Sequence, residues 1–195
     1  YRAYRSQGLT AGEVGILVAF CSFTFALGSI LLGGIALMIE PSLPAHFHKA
    51  IPEWIAFLLG AGMLFLVALY LWGSLTNRGC INLWKLKLEY PRFSLVCRQL
   101  VVAPLELLAA AAIIYYALPE QSNPGYFMVL GIFLASFSAA LLSHAPGGLG
   151  VLEVMFLLAL PDVNPADVIA ALLVFRLFYL LIPFAISLID EVALG

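Results

Sequence analysis

The chain has 195 residues, 64% of them hydrophobic and only 10% charged, with a formal net charge of −2. A soluble domain carries about 25% charged residues against water, so most of this surface must face another medium. The near-neutral balance excludes the basic field that gathers nucleic acid, and a mean hydropathy of +1.06 points to a lipid bilayer.

The chain opens at Tyr1 without a methionine and reads as a fragment or processed piece of a larger membrane protein, a single transmembrane domain over 1–195. No signal peptide is visible, because the first apolar run is too long and too glycine-rich and no cleavage site follows it. A spanning helix needs about 20 apolar residues at 1.5 Å each. Runs at about 14–39, 55–73, 95–118 and 166–189 meet that length, and 126–143 barely does. Pro41 closes the first run, Pro119 stops the third, and Asn164-Pro165-Ala166-Asp167 opens the last. Between the first two, His46 and His48 sit in a loop with no third ligand and read as interfacial rather than metal-binding.

The segment from Leu83 to Tyr90 alternates apolar and charged residues over most of its length and reads as a short interfacial strand or extended stretch, with Trp84 and Tyr90 as anchors. After 126–143 comes Ser143-His144-Ala145-Pro146-Gly147-Gly148-Leu149-Gly150, which cannot continue a helix. The run resumes at 151–160, about 15 Å of helix and half of what spanning needs. The fold class is therefore an all-α polytopic bundle with one broken or re-entrant helix at the Pro-Gly-Gly-Leu-Gly segment. Backbone broken at membrane depth is tolerated only against protein or a wet cavity.

Ionisable residues mark the same region. Arg176 lies about 15 Å into the last run, Glu106 near the middle of the third, and Glu153 in the first turn of the half-helix. Charges at such depth cost about 2.5–3.5 kcal/mol on insertion scales and are functional candidates by default. Plainer readings stand beside this: Arg98 as a snorkelling anchor, Glu106 with Arg176 as a structural pair, and Glu153 as a carboxylate complementing the helix dipole. Arg176, Tyr179 and Pro183 share one helical face, and Pro183 and Pro104 free the carbonyls of Tyr179 and Leu100. Two kinked helices and one broken helix, each carrying a charge, imply a shared polar cavity. Gly148-Leu149-Gly150 lacks the third glycine and the strand of a dinucleotide fingerprint. Ser143-His144 is no catalytic pair, and Cys21, Cys80 and Cys97 lack metal-ligand spacing. No cofactor, metal or catalytic site is expected in this chain.

The run from Ser143 to Glu153 resembles the Pro-Gly-Gly-Leu-Gly-x-x-Glu signature of the lysylphosphatidylglycerol synthase/flippase family, the bacterial multiple peptide resistance factors and their relatives. The run from Val174 to Pro183 is similar to that family's Arg-x-x-Tyr-x-x-x-Pro helix, and Tyr1–Arg5 and Val18–Phe25 resemble it too. The resemblance implies a multi-pass protein of the bacterial cytoplasmic membrane that moves phosphatidylglycerol or its aminoacylated form between leaflets, in the service of cationic peptide resistance. It places Glu153 and Arg176 on the family's signature acid and arginine, and Glu106 where relatives often carry Asp. It also implies further helices before Tyr1 and, in many members, a soluble aminoacyl-transferase domain after the membrane region.

The lipid-headgroup cavity is accordingly expected to comprise Glu106, Pro146, Gly147, Gly148, Gly150, Glu153, Arg176 and Tyr179. Free N–H groups at about Leu149–Leu152 and the Arg176 guanidinium would meet phosphate, and the carboxylates would meet ammonium groups. The expected partners are phospholipid and the bilayer, with a second copy of the chain as a further candidate, and no nucleic acid. Two alternatives remain open: the membrane half of an aminoacyl-tRNA-dependent lysyltransferase whose catalytic domain is absent, and a small-solute transporter or scaffold.

Orientation follows from the short loops. Arg2 and Arg5 precede the first run, and Arg78, Lys85, Lys87 and Arg92 occupy the second loop, whereas residues 119–125 hold no Lys or Arg. Single cysteines at Asn82 and Ser122 should therefore label from opposite faces of sealed cells, Asn82 from the cytoplasm. Labelling of both from one face would refute the helix count.

Overall fold

The computed structural model describes residues 11–47, 51–76, 81–83, 86–88, 93–143 and 148–182. Its helices are α1 (Ala11–Ile39), α2 (Glu53–Leu75), α3 (Phe93–Ala117), α4 (Tyr126–Leu142), α5 (Val151–Ala159) and α6 (Pro165–Arg176). A 3-10 turn at Leu43–Phe47 joins α1 to α2. Beyond Arg176, α6 continues as a π-helical segment, Leu177–Leu181. Three helices, α1, α2 and α3, are long and apolar enough to cross a bilayer, and α4 is a shorter apolar helix. The all-α polytopic class holds; the ends of α1 to α5 and the start of α6 fall within about three residues of the expected ones, and the expected end of the last run at 189 lies outside the described residues.

The expected single extended stretch before α3 is instead a small hairpin. β1 (Ile81–Leu83) pairs antiparallel with β2 (Leu86–Leu88), in register Ile81↔Leu88 and Leu83↔Leu86. Alternation with period two describes one strand as well as two, so the pattern cannot reveal where the chain folds back. Trp84 and Tyr90, the expected anchors, lie outside the described residues.

Helix α4 is the hub. Nine of its 17 residues are buried, so it cannot be a lipid-facing helix despite its apolar composition. It contacts α1, α3, α5 and the 3-10 turn, and Phe133, Phe156 and Phe175 fill the centre with Leu130, Ile132, Leu152 and Leu172. By contrast α2 buries only Ala56, Gly60, Val67 and Ser74. Phe57, Leu58, Phe65, Leu66, Leu69 and Trp72 point outward, as a lipid-facing helix requires.

With hydrocarbon outside as well as inside, helices associate through close packing and buried hydrogen bonds rather than hydrophobic expulsion. Both are present here. Gly34 and Gly60 let α1 and α2 touch backbone to backbone: a Cβ on Gly60 would lie 2.8 Å from the Gly34 carbonyl oxygen. Gly28 admits Ala103 and the nitrogen of Pro104 in the same way, seating α1 on α3 where that helix carries its proline.

Gln99, 4% exposed on α3, ties three helices. Its Nε2 donates to Thr24 Oγ1 at 2.8 Å, and its Oε1 accepts from Tyr70 Oη at 3.1 Å. At the other end of α3, Tyr126 Oη donates to the Leu108 carbonyl at 2.8 Å and Asn123 Nδ2 to that of Tyr115 at 2.9 Å.

A cavity of about 260 Å³ remains between α1, α4, the 3-10 turn and Met63 of α2. Were it sealed and empty, a void of that size would cost roughly 6 kcal/mol at about 24 cal/mol per Å³, comparable with the net stability of a whole domain.

Gln99→Leu should lower stability by about 1–3 kcal/mol, because it removes the two hydrogen bonds that tie α3 to α1 and α2. Melting of the purified proteins in detergent measures it, and a Gln99→Leu protein as stable as the parent would show that the network is idle.

Candidate functional site

Helix α4 stops at Leu142, capped by Ser143, and α5 starts at Val151. Gly148 and Gly150 hold φ of +66° and +84°, conformations that side chains with a Cβ rarely adopt. Space matters only at the first of them. A Cβ on Gly148 would meet Ala140 Cβ at 3.0 Å, whereas one on Gly150 would meet nothing within 4 Å. Pro146 and Gly147 lie outside the described residues.

Glu153 closes the start of α5. Its Oε2 accepts from the Gly150 backbone N–H at 2.8 Å, and its Oε1 sits 2.7 Å from Arg176 Nη2. Glycine has no side chain to complete a reciprocal capping box, so this carboxylate alone serves the helix end. The first bond of the α5 ladder runs from Val154 N–H to the Gly150 carbonyl, leaving the N–H groups of Val151 to Glu153 outside it.

Arg176 reaches this point from α6. Asn164 Oδ1 caps α6 by accepting from Ala166 N–H at 3.0 Å, and Pro165 presets its first turn. Eleven residues on, about 16 Å deep, the Arg176 side chain is only 11% exposed and also donates to the Gly148 carbonyl at 3.4 Å. Its Nε is buried without a hydrogen-bond partner.

One turn later Tyr179 Oη donates to Glu106 Oε1 on α3 at 2.7 Å. Glu106 itself is exposed on the outer face of α3. The Tyr179 ring stacks on Phe175, centroids 5.1 Å apart, and Phe175 meets Phe133 of α4 edge-on. The shared face expected for Arg176 and Tyr179 thus addresses two different partners.

The plainer alternative of a structural Glu106–Arg176 pair is not what forms: the pairs are Glu153–Arg176 and Glu106–Tyr179. Nor is the α5 N-terminus wholly free, since Glu153 already occupies the Gly150 N–H. Of the two proline devices, Pro104 lies inside an α3 that runs on without interruption. The segment before Pro183 has gone over to π, with the Ile182 N–H reaching the Leu177 carbonyl five residues back. A proline supplies no N–H to the Tyr179 carbonyl, and wider turns relieve such a mismatch, often at functional sites. Pro183 itself lies outside the described residues. Arg98 is exposed at the start of α3, as an anchor would be.

No protein-family model matches the chain. Over 195 residues, 97% of the chain, it is 33% identical to the inner membrane protein YbhN of Escherichia coli and covers 59% of that protein. It is 34% identical over 191 residues, 94% of the chain, to an uncharacterized protein of Synechocystis, covering 57% of it. A shorter match, 34% identical over 92 residues, links 46% of the chain to 11% of a phosphatidylglycerol lysyltransferase of Staphylococcus haemolyticus. The chain therefore spans a little under three fifths of the length of the first two relatives. It is a multi-pass protein of the bacterial inner membrane, homologous to YbhN and, over part of its length, to phosphatidylglycerol lysyltransferases.

Gly150→Ala should cost about 1–2 kcal/mol from backbone strain alone. Gly148→Leu should cost more, because Ala140 has to move as well. Ranked melting temperatures test this, and equal effects would show that the space beside Ala140 is unimportant.

Proposed function

We propose that this chain is the lipid-handling region of a membrane lipid translocase, acting on phosphatidylglycerol or its aminoacylated form through the groups around Gly148. The observation that carries the reading is Arg176: a nearly buried guanidinium beside a half-helix N-terminus, with one buried donor unanswered. A phosphate oxygen is the acceptor that both features favour. Similarity to phosphatidylglycerol lysyltransferases supports a headgroup of that class.

The Glu153–Arg176 pair shapes how a headgroup would enter. An anion alone would take Arg176 from Glu153 and leave a carboxylate unpaired in a medium of low dielectric, a loss on the order of 3–5 kcal/mol. A headgroup bearing phosphate and ammonium opens the pair and replaces it with two, phosphate on Arg176 and ammonium on Glu153. Glu106 adds a second carboxylate from the outer face of α3, oriented by Tyr179.

The 2.7 Å pair and the Gly150 cap also favour a second reading, in which Glu153 and Arg176 only lock the break. Leaflet-resolved assays in proteoliposomes, run beside thermal melts, separate the two. Arg176→Gln should reduce translocation at least tenfold while the protein remains inserted. Glu153→Gln should impair aminoacylated lipid more than plain phosphatidylglycerol. Recovery of both stability and transport in the double variant would overturn the headgroup reading and establish the lock.

A further inference from the structure

Two carboxyl groups stand near the break, and the fold treats them differently. Glu153 is fully engaged: Arg176 meets one oxygen at 2.7 Å and the Gly150 N–H meets the other at 2.8 Å. A guanidinium keeps its proton in a protein, so it needs an anion opposite it. Glu106 has no cation. Its Oε1 accepts from Tyr179 Oη at 2.7 Å, and among the described residues its Oε2 forms no hydrogen bond or ion pair. A tyrosine hydroxyl donates to a carboxylate and to the carbonyl oxygen of a neutral acid alike. Tyr179 therefore holds the Glu106 side chain in place while leaving its charge open.

Glu106 lies midway along the 25 residues of α3, a helix long and apolar enough to cross a bilayer. Around it Val101, Val102 and Leu105 turn outward, each 61–64% exposed. A bare carboxylate on such a face is costly, and the charge has to be removed or matched. A proton on Oε2 removes it and an ammonium group matches it. The two exclude each other, because the acid has no charge for an ammonium group to pair with.

Among the described residues Tyr179 is the titratable group that meets Glu106. Others on the helices packed against α3 are engaged elsewhere: Tyr70 with Gln99, Tyr126 with the Leu108 carbonyl and Arg176 with Glu153. Glu53 and Asp167 sit in the first turns of α2 and α6, and α1 brings the free thiol of Cys21. On α3 itself Arg98 is eight residues away, about 12 Å.

We propose that Glu106 exchanges a proton for an ammonium group of the lipid headgroup, so that a headgroup carried one way is balanced by a proton carried the other. As the headgroup arrives, the Oε2–H bond breaks, its electron pair stays on the carboxylate, and water takes the proton. The carboxylate then pairs with the ammonium group. As the headgroup leaves, hydronium returns a proton to Oε2. Glu106 and its occupant are neutral together in both states. A lysyl ester supplies two ammonium groups, one for Glu153 once Arg176 has turned to phosphate and one for Glu106. With its phosphate that headgroup is a net monocation, like the proton, so the exchange moves no net charge. The exchange presupposes the translocase reading and adds a driving force to it, the proton gradient.

The test uses the chain in proteoliposomes of lysylphosphatidylglycerol or plain phosphatidylglycerol, with a pH dye sealed inside and leaflet-resolved counting of the lipid. Inward movement of the lysyl lipid should carry one proton outward per lipid. With the interior one pH unit more acid, one-for-one exchange should accumulate it about tenfold in the inner leaflet, the ratio equivalent to one unit. Plain phosphatidylglycerol should move no proton and stay evenly distributed. Glu106→Gln should abolish the counterflow and the accumulation, whatever rate it retains. Tyr179→Phe, which removes only the positioning hydroxyl, should slow movement yet keep one proton per lipid. The ratio is read on the parent chain, so the test stands even where Glu106→Gln fails to insert.

Translocation of the lysyl lipid without proton counterflow would overturn the exchange and leave the translocase reading intact. Counterflow that survives Glu106→Gln would overturn the assignment to Glu106. Failure of the parent chain to move either lipid would overturn both readings together.

Discussion

A bilayer gives no water to the ends of a helix, and between Leu142 and Val151 this chain ends one helix and begins another among apolar neighbours. The Glu153 carboxylate bears that constraint. One of its oxygens answers the Gly150 N–H, and the other must then face a cation, because a carboxylate at such depth is expensive alone. Arg176 meets it and also contributes to satisfying the Gly148 carbonyl. The position of α6 follows, since its guanidinium has to arrive there, and Phe175 then packs on Phe133 while Tyr179 lands beside Glu106.

The remaining polar contacts are placed at other levels and do other work. Gln99 binds α1, α2 and α3 together through neutral groups that leave no net charge to be matched. Tyr126 and Asn123 tie the connection before α4 to α3. Neutral hydrogen bonds therefore hold the long helices together, while the Glu153–Arg176 ion pair sits at the break. Polar groups that only join helices can be neutral, so the retention of charge near Gly148 asks for a reason beyond assembly.

Helix positions were legible because the bilayer imposes a length and because proline and asparagine mark helix ends whatever the tertiary context. Asn164-Pro165 marks the start of α6 within one residue, the expected run opening at 166 and the helix at Pro165. Glu106, Glu153, Arg176 and Tyr179 were legible as candidates, since a charge inside an apolar run has few explanations. Their pairing was not. Arg176 lies 23 residues from Glu153 and 70 from Glu106, and a linear pattern holds no information about which carboxylate the fold delivers. Gln99, Thr24 and Tyr70 escaped notice for a different reason: uncharged polar residues are common in membrane helices, and only their convergence gives them meaning. The cavity between α1 and α4 was hidden likewise, because small residues read the same whether helices close on them or stand apart.

The π segment at Leu177–Leu181 changes the phase of the helix that α6 begins. A π turn holds about one residue more than an α turn, so Ile182 is rotated by roughly 100° from where uninterrupted winding would put it. A helical wheel drawn through 166–182 as one α-helix therefore misplaces its last residue against Arg176. Comparisons with relatives inherit the same offset: a relative lacking one residue in this stretch could present the same face on a plain α-helix, and an alignment that forbids the gap would superpose residues pointing in different directions.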